Sequence, residues 1–199
     1  SRKPHPRDFD LTLKFRTTGG DTYKSVGIRF DVTDNGQNAH TVYASAHAPA
    51  PKVQIAHTVG GKTSYPPAGK VDRPIQTDID YELGVQVRGQ LVNVSLNGEF
   101  LLAYQLPRRN SGAVELFAFD ATAEFDEISV TPLASNAELR PAGSKSNAPT
   151  ADPAAAFELA EAKAAEADTG LAALKARIAA DDATIRGIGD GSAKEAARL

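Results

Sequence analysis

Cysteine, methionine and tryptophan are all absent from these 199 residues. Without a thiol the chain forms no disulfide, carries no thiolate nucleophile and offers no Cys-ligated zinc, although the absence does not separate periplasm from cytosol. Without Trp, any stacking against a ligand ring falls to the 5 Tyr and 8 Phe. The formal charge of -3 and pI near 5.8 come with scattered basic residues, so the footprint that nucleic acid or an anionic membrane needs is missing. No apolar run reaches the ~18 residues of a membrane span, and no signal peptide is visible. The chain opens Ser-Arg-Lys and has no Met anywhere, which leads us to expect a piece excised from a longer protein. His5, His40, His47 and His57 show no His-x-x-x-His spacing, and no Ser sits in a Gly-x-Ser-x-Gly elbow, so zinc and acyl-transfer chemistry find no support. We expect no catalytic residue, no metal ligand and no cofactor.

What is present is a hydrophobic period that changes along the chain. From Phe9 to about Leu133 apolar and polar residues alternate, the mark of half-buried strands. Phe9, Leu11, Leu13 and Phe15 form one such face; Val26, Ile28, Phe30 and Val32 form the next, ending at Asp34-Asn35-Gly36. Thr41 to His47 and Lys52 to Thr58 continue it across Ala48-Pro49-Ala50-Pro51, whose prolines cannot donate ladder hydrogen bonds and so mark a connection. Tyr81 to Val87, Val92 to Leu96 and Phe100 to Tyr104 follow, the last two joined by Asn97-Gly98, where both residues tolerate the positive φ of a type I′ turn. Val114 to Phe119 and Glu124 to Val130 complete about nine strands, which predicts two packed antiparallel sheets.

The segment Leu91-Val-Asn-Val-Ser-Leu-Asn-Gly-Glu-Phe100 and the closing Phe117-Ala-Phe-Asp-Ala-Thr-Ala-Glu-Phe-Asp-Glu-Ile-Ser-Val130 give residues 8 to 133 a resemblance to the concanavalin A-like, laminin-G-type jelly roll. Followed by an Ala-rich helix, the pattern is similar to the non-catalytic region of large planctomycetal cytochrome-type proteins. The resemblance implies sugar binding outside the cytoplasm, periplasmic or extracellular.

One relative of this fold is catalytic. Laminarinase-type glycosidases line up carboxyls on one strand, and retaining hydrolysis needs two of them ~5 Å apart. Here strict alternation puts Glu124 and Asp126 on one face, continues that face with Ile128 and Val130, and turns Glu127 away. The motif is broken, and a glycosidase is the minor reading. Asp8 and Asp10 at the start, with Asp120, Glu124 and Asp126 near the end, would come together if the terminal strands pair, and hard carboxylate oxygens suit a structural calcium.

The polar face of the second to fourth strands offers Arg29, Asp31, Tyr43, Ser45, His47 and Gln54, with Tyr65 in the Gly60–Gly69 loop closing one end over His57. A sugar needs rings for its CH faces and charged or amide groups for its hydroxyls, and this set supplies both. The expected ligand-binding residues are Arg29, Asp31, Tyr43, His47, Gln54, His57 and Tyr65. The function predicted is a non-catalytic module that binds polysaccharide or oligosaccharide for a larger exported protein. The alternative is a structural or protein-interaction domain packing on the rest of its own protein.

Residues 134 to 151 are small, polar and interrupted by proline, the composition of a flexible linker. Asp152 and Pro153 then open a helix, and Phe157, Ala160, Ala164, Ala167, Leu171, Leu174, Ile178, Asp181, Ile185 and Ile188 keep three-four spacing. After Gly187 to Gly191, Ser192-Ala-Lys-Glu195 reads as a capping box that starts a second helix. The domains expected are therefore 1–133, a sandwich; 134–151, a linker; and 152–199, a truncated coiled-coil hairpin through which other domains of the parent protein would dock.

Overall fold

The computed structural model describes residues 4–146 and Lys175. The first of two antiparallel sheets holds β1 (Phe9–Gly19), β7 (Asp80–Arg88), β8 (Leu91–Leu96), β9 (Glu99–Gln105) and β11 (Thr122–Pro132), in the order β11-β1-β7-β8-β9. The second holds β2 (Ser25–Thr33), β3 (Asn38–Ser45), β4 (Lys52–Val59), β5 (Lys62–Ser64) and β10 (Ala113–Phe119), in the order β10-β2-β3-β4-β5, with β6 (Lys70–Asp72) also paired to β4. The two packed sheets make the expected mainly β sandwich. Strand β5 lies in the Gly60–Gly69 stretch read as loop and β6 just beyond it, where the sequence predicts no strand, because three residues are too few to show a period.

Alternation fills the core. Phe9, Leu11, Leu13 and Phe15 of β1 and Leu83, Val85 and Val87 of β7 meet Val26, Ile28, Phe30, Val53 and Ile55 from the facing sheet, all essentially inaccessible. The Asn97-Gly98 turn has φ of 50° and 76°, as the hairpin signal requires, and Asn97 Oδ1 accepts the Glu82 amide at 2.8 Å.

Three sequence expectations are corrected here. The terminal strands do pair, but antiparallel, with Asp10 opposite Thr131 and Glu124 opposite Arg16. Six residues of β1 separate those rows, ~20 Å at ~3.4 Å per residue, so the five carboxylates proposed for calcium are not assembled. Among the described residues no group of three or more His, Asp or Glu could hold a metal. Second, a register shift between Lys14 and Phe15 leaves Asp126 as an extra residue and sets Glu127 opposite Lys14, which it meets at 2.9 Å. Glu127 therefore shares the outward face with Glu124, opposite to what unbroken alternation gives. Third, residues 134–146 are not a free tether. Arg88 donates to the carbonyls of Ala134 and Ala137 at 2.8 and 2.7 Å, and Ala103 N donates to Ser144 O and Ser146 N to Leu101 O, both at 2.8 Å. The segment runs against β9 and satisfies backbone groups on that edge.

Apart from Lys175, the residues of the helices expected over 152–199 lie outside the described residues. No helix among those described is long and apolar enough to cross a membrane.

Candidate functional site

The outer face of the second sheet is protected in a way that alternation alone does not produce. Ser25, Thr41, Tyr43, Ser45, Gln54 and Ala56 all point away from the core, yet each is buried. Polar groups recessed at 1 to 7 % exposure on the outside of a sheet mark a concave floor.

Strand registers lay the floor out as a grid. One row runs Glu115, Arg29, Thr41, Ala56; the next Phe117, Gly27, Tyr43, Gln54; the third Phe119, Ser25, Ser45, Lys52. Gly27 is the gap in the middle row. A Cβ there would lie 2.1 Å from Val42 O and 2.7 Å from Tyr43 Cα, so only glycine fits. Its absence of side chain lets the Tyr43 and Phe117 rings lean together at 5.8 Å.

The result is a groove of about 580 Å³. Its rim is aromatic: Tyr65 is 58 % exposed at one side, and Tyr23 and Phe119, 5.6 Å apart, are 49 and 54 % exposed at the other. Its floor is hydroxyl and amide, with Tyr43 donating to Gln54 Oε1 at 2.8 Å and burial pushing the Tyr43 phenol up to about 12. Arg29 brings a cation and is tied to Glu115 at 3.2 Å and to Gly36 O at 2.6 Å. Among the described residues that line the groove none is Asp or Glu. A groove crossing five strands at ~4.8 Å spacing is ~19 Å wide, room for a chain of sugars rather than one ring.

Tyr23 is placed by Asp120, whose Oδ2 accepts the amides of Thr22 and Tyr23 at 2.7 and 2.6 Å, bonds that draw the Asp120 carboxyl below its ordinary value. Asp120→Ala is expected to leave the fold intact and to broaden the Tyr23 ring resonances by freeing the loop, checked by nuclear magnetic resonance; unchanged Tyr23 signals would remove Asp120 from that role.

Of the seven residues expected to contact a ligand, Arg29, Tyr43, Gln54 and Tyr65 line this groove. His47 stands just beyond the end of β3, its Nδ1 2.9 Å from Thr22 O and its ring 5.3 Å from Tyr23, so it buttresses the groove end without lining it.

Asp31 and His57 are corrections. A register break between Phe30 and Thr33, with Asp31 at φ 53°, rotates the Asp31 side chain off the groove face. There, at 0 % exposure, it meets Arg109 Nε at 2.6 Å, His5 Nε2 at 3.0 Å and the Asn110 amide at 3.0 Å. Burial alone would raise this carboxyl, but the bonds from His5, Arg109 and Asn110 outweigh it and hold it at about 2. His57 is three residues from Gln54 on one strand, an odd step, so it faces inward. It joins a buried chain: His57 Nδ1 lies 2.8 Å from His40 Nδ1, His57 Nε2 3.1 Å from the Tyr104 hydroxyl, and His40 Nε2 2.9 Å from Arg108 O. The carbonyl requires His40 to donate from Nε2, so its Nδ1 accepts from His57 and His57 Nε2 accepts from Tyr104, with both rings neutral.

Sequence reasoning missed Tyr23, Phe117 and Phe119. The β10 pair sits two apart beside Glu115, a legible stripe, but an edge strand is open on both faces and parity there does not say which side is core.

No protein-family model matches the chain, and no curated protein matches its sequence significantly. Solved structures do share the architecture. The carbohydrate-binding module CBM66 from Bacillus subtilis superposes with a TM-score of 0.51 at 17 % identity, over 63 % of this chain and 75 % of that one. A variant of human galectin-16 gives 0.52 at 12 % identity, over 66 % and 93 %. Sheep galectin-11 gives 0.50 at 9 % identity, over 66 % and 95 %. At these identities the likeness is one of fold, and it agrees with the jelly-roll sandwich expected from the strand pattern.

Proposed function

We propose that this chain is a non-catalytic carbohydrate-binding module whose ligand is a polysaccharide lying across the groove on the second sheet. The observation that carries the reading is the combination in one recess of exposed rings, a hydroxyl and amide floor, and no carboxyl pair, Glu115 at the edge being tied to Arg29. Rings take the CH faces of sugars and the floor takes their hydroxyls. A glycosidase would need a carboxyl pair in the same place. One of the structures that share the fold is itself described as a carbohydrate-binding module, which supports the reading. Placement in an exported, multidomain parent, with a coiled coil over 152–199 as docking arm, rests on the resemblance of the sequence to planctomycetal cytochrome-type proteins.

Affinity electrophoresis of the full chain through gels cast with neutral and acidic polysaccharides tests this. At least one gel should retard the protein, and Tyr65→Ala or Gln54→Ala should weaken that retardation about tenfold, the worth of one stacking or charge-free polar contact. Tyr65 is largely exposed, so its removal leaves the fold alone. A folded protein that no polysaccharide retards would return the groove to the alternative, a surface that packs on the rest of its own protein.

A further inference from the structure

The outer face of the first sheet carries a second recess. Registers set Thr12, Gly84 and Ser95 in one row, with Phe100 beside Ser95 on β9. Small residues at the centre of a sheet leave a dent between longer neighbours, and a glycine inside a strand is where another group can approach the backbone closely. Here the dent is a trough of about 330 Å³, with Asp10 and Gln86 at one end of its floor and Glu82 at the other. A Cβ at Gly84 would fall 2.3 Å from Ser95 Oγ, so the Ser95 hydroxyl lies over Gly84 and a larger residue there would have to turn it aside.

The segment after β11 builds one wall. Asn93 accepts the Arg140 amide at 2.7 Å and donates to the Arg140 carbonyl at 3.0 Å, and the Arg140 guanidinium lies over the Phe100 ring at 4.2 Å. Phe100 is thereby covered, and a sugar cannot stack on it. Recognition in this trough falls to hydrogen bonds and charge.

The charge is unbalanced, with Asp10, Glu82 and Glu138 facing a single guanidinium. Asp10 is occupied by Gln86 Nε2 at 2.9 Å. Lys14, opposite Glu82, donates its hydrogen bond to Glu127 and reaches Glu82 only through its charge, so among the described residues the half-buried Glu82 carboxylate accepts no side-chain hydrogen bond. From Gln86 to Glu82 the strand rises ~14 Å, longer than one sugar ring.

We infer that this trough is a second binding site, for a short amine-bearing saccharide of the glucosamine type. The ligand lies along β7 over Gly84, with an ammonium on Glu82 and hydroxyls on Asp10, Gln86 and Arg140. The site stands on residues separate from the groove of the second sheet and does not depend on it.

Calorimetric titration of the full chain with a glucosamine trisaccharide and with its N-acetylated counterpart tests the assignment. The amine form should bind and the acetylated form, which carries no charge, should bind at least about tenfold more weakly. Glu82→Gln should cost the amine form about tenfold, Thr12→Gln, which fills the floor without altering charge, should abolish the heat of binding, and Tyr65→Ala should change nothing. Thermal melts of each variant establish that it is folded. Equal binding of the two trisaccharides, no binding of either, or indifference to both trough variants overturns the inference; so does loss in Tyr65→Ala, which would hand the ligand to the other groove and leave the proposed function standing.

Discussion

Arg109→Ala should destabilise the sandwich by about 3–5 kcal/mol, the range for removing one partner of a buried ion pair. Arg109 is the hub of one end of the fold. Its guanidinium holds both Asp31 oxygens, donates to Gly89 O at 2.7 Å and Arg7 O at 2.9 Å, and lies 5.8 Å from the centroids of Phe9 and Phe30. Four separate stretches of chain are thus tied through one side chain. Alanine strands the Asp31 carboxylate at 0 % exposure with His5, the Asn110 amide and the more distant His40 ring at 3.9 Å for support. Urea unfolding measures the loss. The double variant Arg109→Met with Asp31→Leu should recover part of it, because a buried pair replaced whole by apolar groups leaves no orphaned charge. A single variant within about 1 kcal/mol of the parent would show that water reaches Asp31 and that the clasp is not structural.

Stability should also fall as pH drops from 6.5 toward 4. Burial, with His40 beside it, holds His57 down at about 4 against an ordinary 6.5, and burial lowers His40 as well. In that window the unfolded chain binds protons that the native state refuses, so acid favours unfolding. The chain from Tyr104 to Arg108 O has each ring nitrogen committed, and a second proton on either ring must break the contact between them. A depression from 6.5 to about 4 corresponds to a loss on the order of 3 kcal/mol. Below about 3.8 a second decline begins as Asp31, held at about 2, resists protonation that the unfolded chain accepts. Urea midpoints taken from pH 7.5 to 3 report both phases. In His57→Gln the upper phase should flatten while the lower one persists; an upper phase unchanged in that variant would locate the titration elsewhere.

Most of the sandwich can be read from the chain because several of its strands, β1 and β7 above all, are long and apolar along one side. Phe9 to Phe15 and Tyr81 to Val87 need no structure to be oriented, and Asn97-Gly98 announces its hairpin by chemistry alone. The failures share a cause, which is that parity is conserved only along an unbroken ladder. At Asp31 and at Asp126 one extra residue shifts the count, and in both places a carboxylate ends on the side opposite to its apparent one. Nothing in the side chains flags such a bulge beforehand. His57 is different, since its odd distance from Gln54 already excludes it from the face that Gln54 occupies. Tyr65 could be assigned to the groove without knowing that three residues before it form a strand, because Lys62–Ser64 adds to β4 whatever the loop's composition suggests.

The stretch after β11 changes what counts as the portable part of this protein. Judged by composition, everything past Leu133 is packaging. Yet residues 134–146 cap the exposed border of β9, accept hydrogen bonds from Arg88 on three of their carbonyls and supply Arg140 to the trough. A sandwich moved to a new host without them would arrive with a raw sheet margin, ready to adhere to other copies, and without one wall of a candidate site. The heritable unit is the sandwich with its selvedge, and recombination that respects only the strands would transmit a fabric that frays.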